Sequence, residues 1–239
     1  MEIDGLTSAR TRVGAGGAGI MRRKLICTLF AIIGLMLWAD AAPAAMPAGT
    51  VLAVSGSCTD QGRVLKRGDA VQVGDTVNVP AGGHLQLGMA DGSVISVAPD
   101  SSVTVASYNL ASTARYVRLS LTQGLLRAHV TWVRGPSTFQ VTTAVGTASV
   151  RSDSADWFAN AQSGSAQVGV LDGTVDLTSA VTRQSVSIPS HWGTRNESGL
   201  DPVLPRRWAR REFIRVMRLT EFCQLGQSKV ETARSCLGA

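Results

Sequence analysis

The chain has 239 residues, 25 of them Gly, with aromatic residues at 5% and a formal net charge of +6 from 23 basic against 17 acidic side chains. That length suffices for one or two domains with a real core, and a Gly-rich, aromatic-poor composition favours a turn-rich β-protein over a helical enzyme. The charge is uneven: residues 45–200 carry ten basic and ten acidic groups, so a neutral middle is followed by a basic appendage in the last 39 residues.

In chain order, residues 1–20 read as a disordered extension or as the result of a start placed ahead of Met21. Residues 21–44 have the order of an export signal: Arg22, Arg23 and Lys24, an apolar run from Leu25 to Trp38, then small residues with cleavage expected near Ala44. An uncleaved inner-membrane anchor is the alternative, but the run is shorter than the ~20 apolar residues that span a bilayer. The expected location is therefore periplasmic or secreted.

From 49 to 188, short β-branched runs alternate with turn signals and no helical period lasts, which predicts an all-β domain. Leu85, Leu87 and Met89 alternate with Gln86, Gly88 and Ala90, and Asp91-Gly92 then separates them from "SVISV" as a two-residue hairpin turn would. Asp172-Gly173 in "VLDGTVDL" is expected to repeat the device.

"GDAVQVGDTVNV" contains Gly68-Asp69 and, six residues later, Gly74-Asp75. Calcium needs six or more converging oxygens and a phosphate cradle needs a helix after its Gly-rich loop. Each glycine here precedes one Asp and then Val-rich strand sequence, so both pairs are expected to be turns.

Residues 189–204 have the Pro, Gly, Asn and Ser density of a linker, and Pro205 is expected to open a basic amphipathic helix, with a short terminal helix completing 205–239. Trp208, Ala209, Phe213, Val216, Leu219 and Cys223 fall on one helical face. Arg206, Arg207, Arg210, Arg211, Arg215 and Arg218 fall on the other, where they either stay solvated while the apolar face docks on the β-domain or form a partner or membrane surface, with Arg207, Arg211, Arg215 and Arg218 as its candidates. Export makes nucleic acid the poorest partner. After signal removal Cys58, Cys223 and Cys236 allow one disulfide of open pairing.

The segments "GRVLKRGDAVQVGDTVNVPAGGHLQLGMADGSVISVAPDSSVTV", "LTQGLLRAHV", "FQVTTAVGTASVR" and "VGVLDGTVDL" together resemble the FecR domain over roughly 49–179. The resemblance implies an all-β sandwich or roll with β-helix-like coiling, here with a short C-terminal helical tail. Its motif turns fall on Gly68, Asp69, Gly74, Asp75, Asp91, Gly92, Gly124, Asp172 and Gly173, and it supplies no catalytic residues. Ala144 stands where the family usually has Pro, and Ser152-Asp153 where it has Gly-Thr. Full regulators of the family carry an anti-sigma segment ahead of a membrane helix; the 24 residues before the apolar run are too few for one, so a stand-alone exported FecR-like protein is expected.

Enzyme chemistry finds little support. His84, His129 and His191 have no metal-site spacing, no "GxSxG" elbow occurs, and Asp69, Asp75 and Asp91 adjoin Gly in turns where their side chains bond the main chain. The expectation is a non-catalytic periplasmic sensing or binding module of cell-envelope signalling, without cofactor or metal, whose partner is an envelope protein or polymer. The alternative is a structural envelope protein that binds a polymer or an anionic membrane surface through the basic helix.

Overall fold

The computed structural model describes residues 47–111 and 114–221, all within a unit, Ala45–Ala239, that is separate from Met1–Ala44. The extension at 1–20, the export signal at 21–44, Cys223, Cys236 and the short terminal helix lie outside the described residues. In chain order the elements are β1 Gly49–Ser55, β2 Thr59–Asp60, β3 Arg63–Val64, β4 Ala70–Val71, β5 Thr76–Val79, β6 His84–Met89, β7 Val94–Val97, β8 Ser101–Ala111 and β9 Ala114–Val130. They continue with β10 Ser137–Thr142, β11 Gly146–Val150, β12 Ala155–Gln162, β13 Ser165–Asp172, β14 Thr174–Ser179, β15 Ser185–Pro189, β16 Trp192–Glu197, β17 Arg206–Arg207 and the helix α1 Arg210–Thr220.

The ladders arrange these strands in two layers. One runs β4-β1-β6-β7-β9-β12-β13-β16-β17. The other runs β3-β2-β5-β8-β9-β10-β11-β14-β15, with β9–β10 parallel and its remaining ladders antiparallel. The chain is all-β with one short C-terminal helix, as its alternating runs predict. β9 belongs to both layers: Ala114–Gln123 pairs with β8 and Gly124–Val130 with β7 and β12.

Period-two patterning builds the core. Leu85, Leu87 and Met89 of β6, Val117, Leu119 and Leu121 of β9, Phe139 and Val141 of β10, and Leu177 of β14 all point inward and are buried. They form one cluster between the layers with Trp157 of β12 and Ile188 of β15, each such side chain contributing about 1.5–3 kcal/mol.

Three expectations need correction. The segment 189–204 is not a linker, because β16 pairs with β13 and buries Gly193, Thr194 and Asn196. Two of its buried side chains donate to main chain outside the strand: Thr194 Oγ1 to Val203 O, and Asn196 Nδ2 to Val145 O at 2.7 Å, while Asn196 Oδ1 is buried without a partner. The helix does not open at Pro205, since Arg206–Arg207 first pairs with β16 and α1 begins only after Ala209, whose N–H donates to Glu212 Oε2 at 2.7 Å. Finally, Asp172-Gly173 is not a hairpin turn. It carries the chain from β13 in one layer to β14 in the other.

The apolar face of α1 docks on the outer face of the first layer. Phe213 and Val216 form a second cluster with Ala98, Leu125 and Phe158, with Trp208 packed against it. Two glycines make this contact possible. A Cβ on Gly169 would lie 2.6 Å from Phe158 Cε1, and one on Gly193 would lie 2.5 Å from Trp208 Nε1, so each ring lies where a side chain would otherwise stand. At the helix end Arg127 Nη1 is 3.8 Å from Glu221 Oε1, while Arg127 also holds Asp156 through two bonds of 2.9 and 2.7 Å. That fork keeps the guanidinium charged beyond its ordinary range despite burial.

Candidate functional site

The two Gly-Asp pairs are duplicate fasteners, one on each layer. Asp69 Oδ2 accepts from Lys66 N at 3.0 Å and Asp75 Oδ2 accepts from Gln72 N at 2.7 Å, so each carboxylate closes its own turn. Gly68 N donates to Val51 O while Val51 N donates to Asp69 O, both at 2.9 Å. Gly74 N and Asp75 O make the same exchange with Val105, at 2.8 and 3.0 Å. Val51 lies in β1 and Val105 in β8, and each borders a shift in its strand's register, so each turn is anchored at a bulge. Both glycines need their freedom, at φ +91° and +95°. Among the described residues no three His, Cys, Asp or Glu side chains gather to hold a metal ion.

Gly124, at φ +89°, marks the point where β9 passes from one layer to the other; a Cβ there would lie 2.6 Å from Ser101 Cα. Ser101 Oγ fills the space and accepts from Leu125 N at 2.9 Å. Gly173, at φ +88°, is equally hemmed, with Ser154 O 2.6 Å from an added Cβ. Asp172 is exposed beside it.

Asp91-Gly92 does lie in the β6–β7 hairpin, but with Met89 N donating to Ser93 O at 2.8 Å the loop is the three residues 90–92 and not two. Its carboxylate does more than close the turn, because it receives a fully enclosed arginine from β9. Arg115 Nη1 lies 2.7 Å from Asp91 Oδ2, and both side chains are 0% exposed. Nη1 also donates to Thr131 O at 2.9 Å, and Nε and Nη2 reach Ser137 Oγ at 3.0 and 2.7 Å. The Phe139 ring lies beneath the guanidinium, 5.8 Å to its centroid. Tyr108 completes the enclosure; burial, with the charge of Asp91 adding to it, pushes its hydroxyl up to about 12.

The consequence falls on the loop 131–136, "TWVRGP". Thr131 is bonded by all three of its polar atoms: N donates to Ser93 Oγ at 3.2 Å, Oγ1 donates to Asp91 O at 3.0 Å, and O receives Arg115. At the far end Arg115 N donates to Pro136 O at 3.0 Å, and its guanidinium holds Ser137. One arginine therefore grips both ends of the loop. Trp132, the next residue after Thr131, is 61% exposed, a large ring left in water on a loop held at both ends.

Neither Arg115 nor Trp132 stands out in the sequence. The signal was there for Arg115: it lies in phase with Val117, Leu119 and Leu121, so the alternation that buries those residues buries it too.

Elsewhere the predicted candidates are spread over the surface or absorbed in packing. Arg207, Arg211, Arg215 and Arg218 are exposed. Cys58 is buried and free, its thiol 3.4 Å from Ser55 O and 3.6 Å from His84 O, and burial raises its pKa. His191 packs edge-on against Phe213, ring centroids 6.2 Å apart, and the His129 side chain is largely exposed 3.9 Å from Asp156. An open recess of about 500 Å³ reaches α1 at Leu219 and lies beside Asp100, Gln123 and Asn160, and another of about 310 Å³ lies beside Gln167, Thr194, Arg195 and Trp208.

Residues 75–176 match the family model described as FecR protein. Two crystal structures of a protein from Parabacteroides distasonis ATCC 8503, described as a candidate anti-sigma factor, resemble the chain at TM-scores of 0.48 each, with 15% and 17% sequence identity. The likeness covers 58% and 59% of this chain and 62% and 64% of those chains, so it spans less than two thirds of their length. No curated protein sequence matches the chain.

Proposed function

The chain carries a FecR domain over residues 75–176, and from this we propose that it is a non-catalytic binding module of cell-envelope signalling, exported to the periplasm and acting by contact with an envelope protein. The domain match is the observation that carries the proposal. The geometry supports it by supplying a docking element: the loop 131–136 is gripped at both ends by Arg115 and presents Trp132 to solvent. A loop that is ordered before binding loses little entropy on docking. An exposed Trp on such a support is also the side chain type that dominates interface energetics. The polar groups that could have suggested catalysis are instead engaged in holding the fold, Asp69 and Asp75 at their turns and Asp91 on Arg115.

Crosslinking and affinity capture from envelope fractions test the reading. The native chain should retain a receptor, sensor or secretion protein that Trp132→Ala retains at least about thirtyfold more weakly. Val181→Ala, at another exposed position, should leave the capture unchanged. Capture of polymer alone, or of further copies of the chain alone, would overturn the signalling role in favour of a structural one.

A further inference from the structure

The helix α1 buries Phe213, Val216 and Thr220. At 100° per residue, the opposite meridian is occupied by Arg211, Arg215 and Arg218, which fall within roughly 60° of arc and about 10 Å of helix length. All three are exposed, as are Arg210 at the start of the helix and Arg207 of β17 ahead of it. The carboxylates nearby are already engaged: Glu212 binds Arg206 at 2.8 Å, which holds its pKa low, and Glu221 faces Arg127. Among the described residues, none of the five forms an ion pair closer than 4 Å.

The N-terminal part of this row works against the helix itself. Arg211 and Arg215 are like charges at i,i+4, and Arg210 and Arg211 sit at the positive end of the helix dipole, where acidic residues are favoured. Arg218, in the last turn, is placed favourably for the dipole, but Arg210, Arg211 and Arg215 are not, and the apolar face that could have inserted into a bilayer is already committed to Phe158 and Leu125. What remains is a cationic helix ridge, with Leu219 as the exposed large apolar side chain of α1.

We propose that this ridge binds the anionic headgroups of a lipid bilayer by electrostatic contact without insertion, fixing how the domain faces the membrane. A protein partner would ask for a desolvated apolar centre that the ridge lacks. A plane of phosphates asks only for cations within a Debye length. The inference is independent of docking through Trp132.

The test is co-sedimentation of the full chain with phosphatidylglycerol-containing vesicles and with neutral phosphatidylcholine vesicles, which set the baseline for the apolar run Leu25–Trp38. Partition should favour the anionic vesicles and fall steeply with added salt. Replacing the three arginines together by Gln should reduce the anionic preference about a hundredfold, from roughly fivefold per residue, whereas replacing all three by Lys should retain most of it. An unchanged partition in the Gln variant overturns the proposal. So does equal loss in the Lys variant, which would indicate bidentate recognition of carboxylates, or binding to soluble polyglutamate without binding to vesicles, which would indicate an acidic protein. Because these side chains are exposed, urea midpoints of the variants should match the native chain.

Discussion

Replacing Arg115 by Met puts the clamp to a quantitative test. The substitution keeps a long apolar stem but removes the guanidinium from a site where both it and the Asp91 carboxylate are 0% exposed at 2.7 Å. Asp91 would keep the bond from Ser93 Oγ at 2.8 Å and the Ser93 N–H at 3.2 Å, yet its charge would be buried without a cation, and Thr131 O and Ser137 Oγ would lose their donor. Removing one member of a buried pair typically costs about 3–5 kcal/mol, a large share of the ~5–15 kcal/mol that holds most domains. Adding Asp91→Asn, which preserves the acceptor at the turn but removes the stranded charge, should recover about 2 kcal/mol, so the cycle should be strongly non-additive. Urea unfolding of the four chains measures this directly. A cost below about 1 kcal/mol for Arg115→Met, or strict additivity in the cycle, would refute the view that one buried charge pair organises the loop.

Gly124→Ala should destabilise the chain by more than about 2 kcal/mol, because left-handed backbone and the Ser101 main chain both oppose it, whereas Gly74→Ala, with nothing within 4 Å of the added atom, should cost only the ~1–2 kcal/mol of the backbone; equal urea midpoints would contradict this. In a Tyr116→Phe background, tyrosinate absorbance reports Tyr108 alone and should rise near pH 12 rather than 10. The folded state holds the neutral phenol that the unfolded chain ionises near 10, so this contribution to stability is complete below pH 10 and is lost as pH rises through 12; a midpoint at 10 would show that Tyr108 is open to water. Phe213→Ala should cost about 3–5 kcal/mol of docking energy and accelerate hydrogen exchange in 210–220 while β9 stays protected, because Phe213 belongs to the small outer cluster and not to the main core. Uniform acceleration would mean the helix and the sandwich unfold together.

The strands were legible wherever one face is wet and one dry. Leu85, Leu87 and Met89 alternate in the sequence as they do in β6, and the glycines at 68, 74, 92 and 124 stand at positive φ. Legibility failed where burial does not follow hydropathy. β16 reads "WGTRNE", yet it is an inner strand because Gly193 makes room for Trp208, and Asn196 finds its acceptor 51 residues away at Val145. Asp172-Gly173 has the local signature of a hairpin, but turn chemistry describes two residues and not which layer receives the next strand. Arg115 is the sharpest case: its partners Asp91, Thr131 and Ser137 are 24, 16 and 22 residues distant, and only their convergence makes an inward arginine tolerable.

The sharing of β9 between layers bears on how the chain can be assembled. Its seventeen residues take partners from β7 and β8 before it and from β10 and β12 after it. Neither layer can be completed in isolation, and few of these pairings are local, a topology that folds over milliseconds to seconds. The strands outside 75–176 enter the same layers: β1 borders β6, and β16 borders β13. A chain trimmed to the matched segment would leave β6 and β13 as bare edges inviting association with other chains. The cooperative folding unit is therefore larger than the family segment, and a working fragment has to begin no later than Gly49 and retain β16.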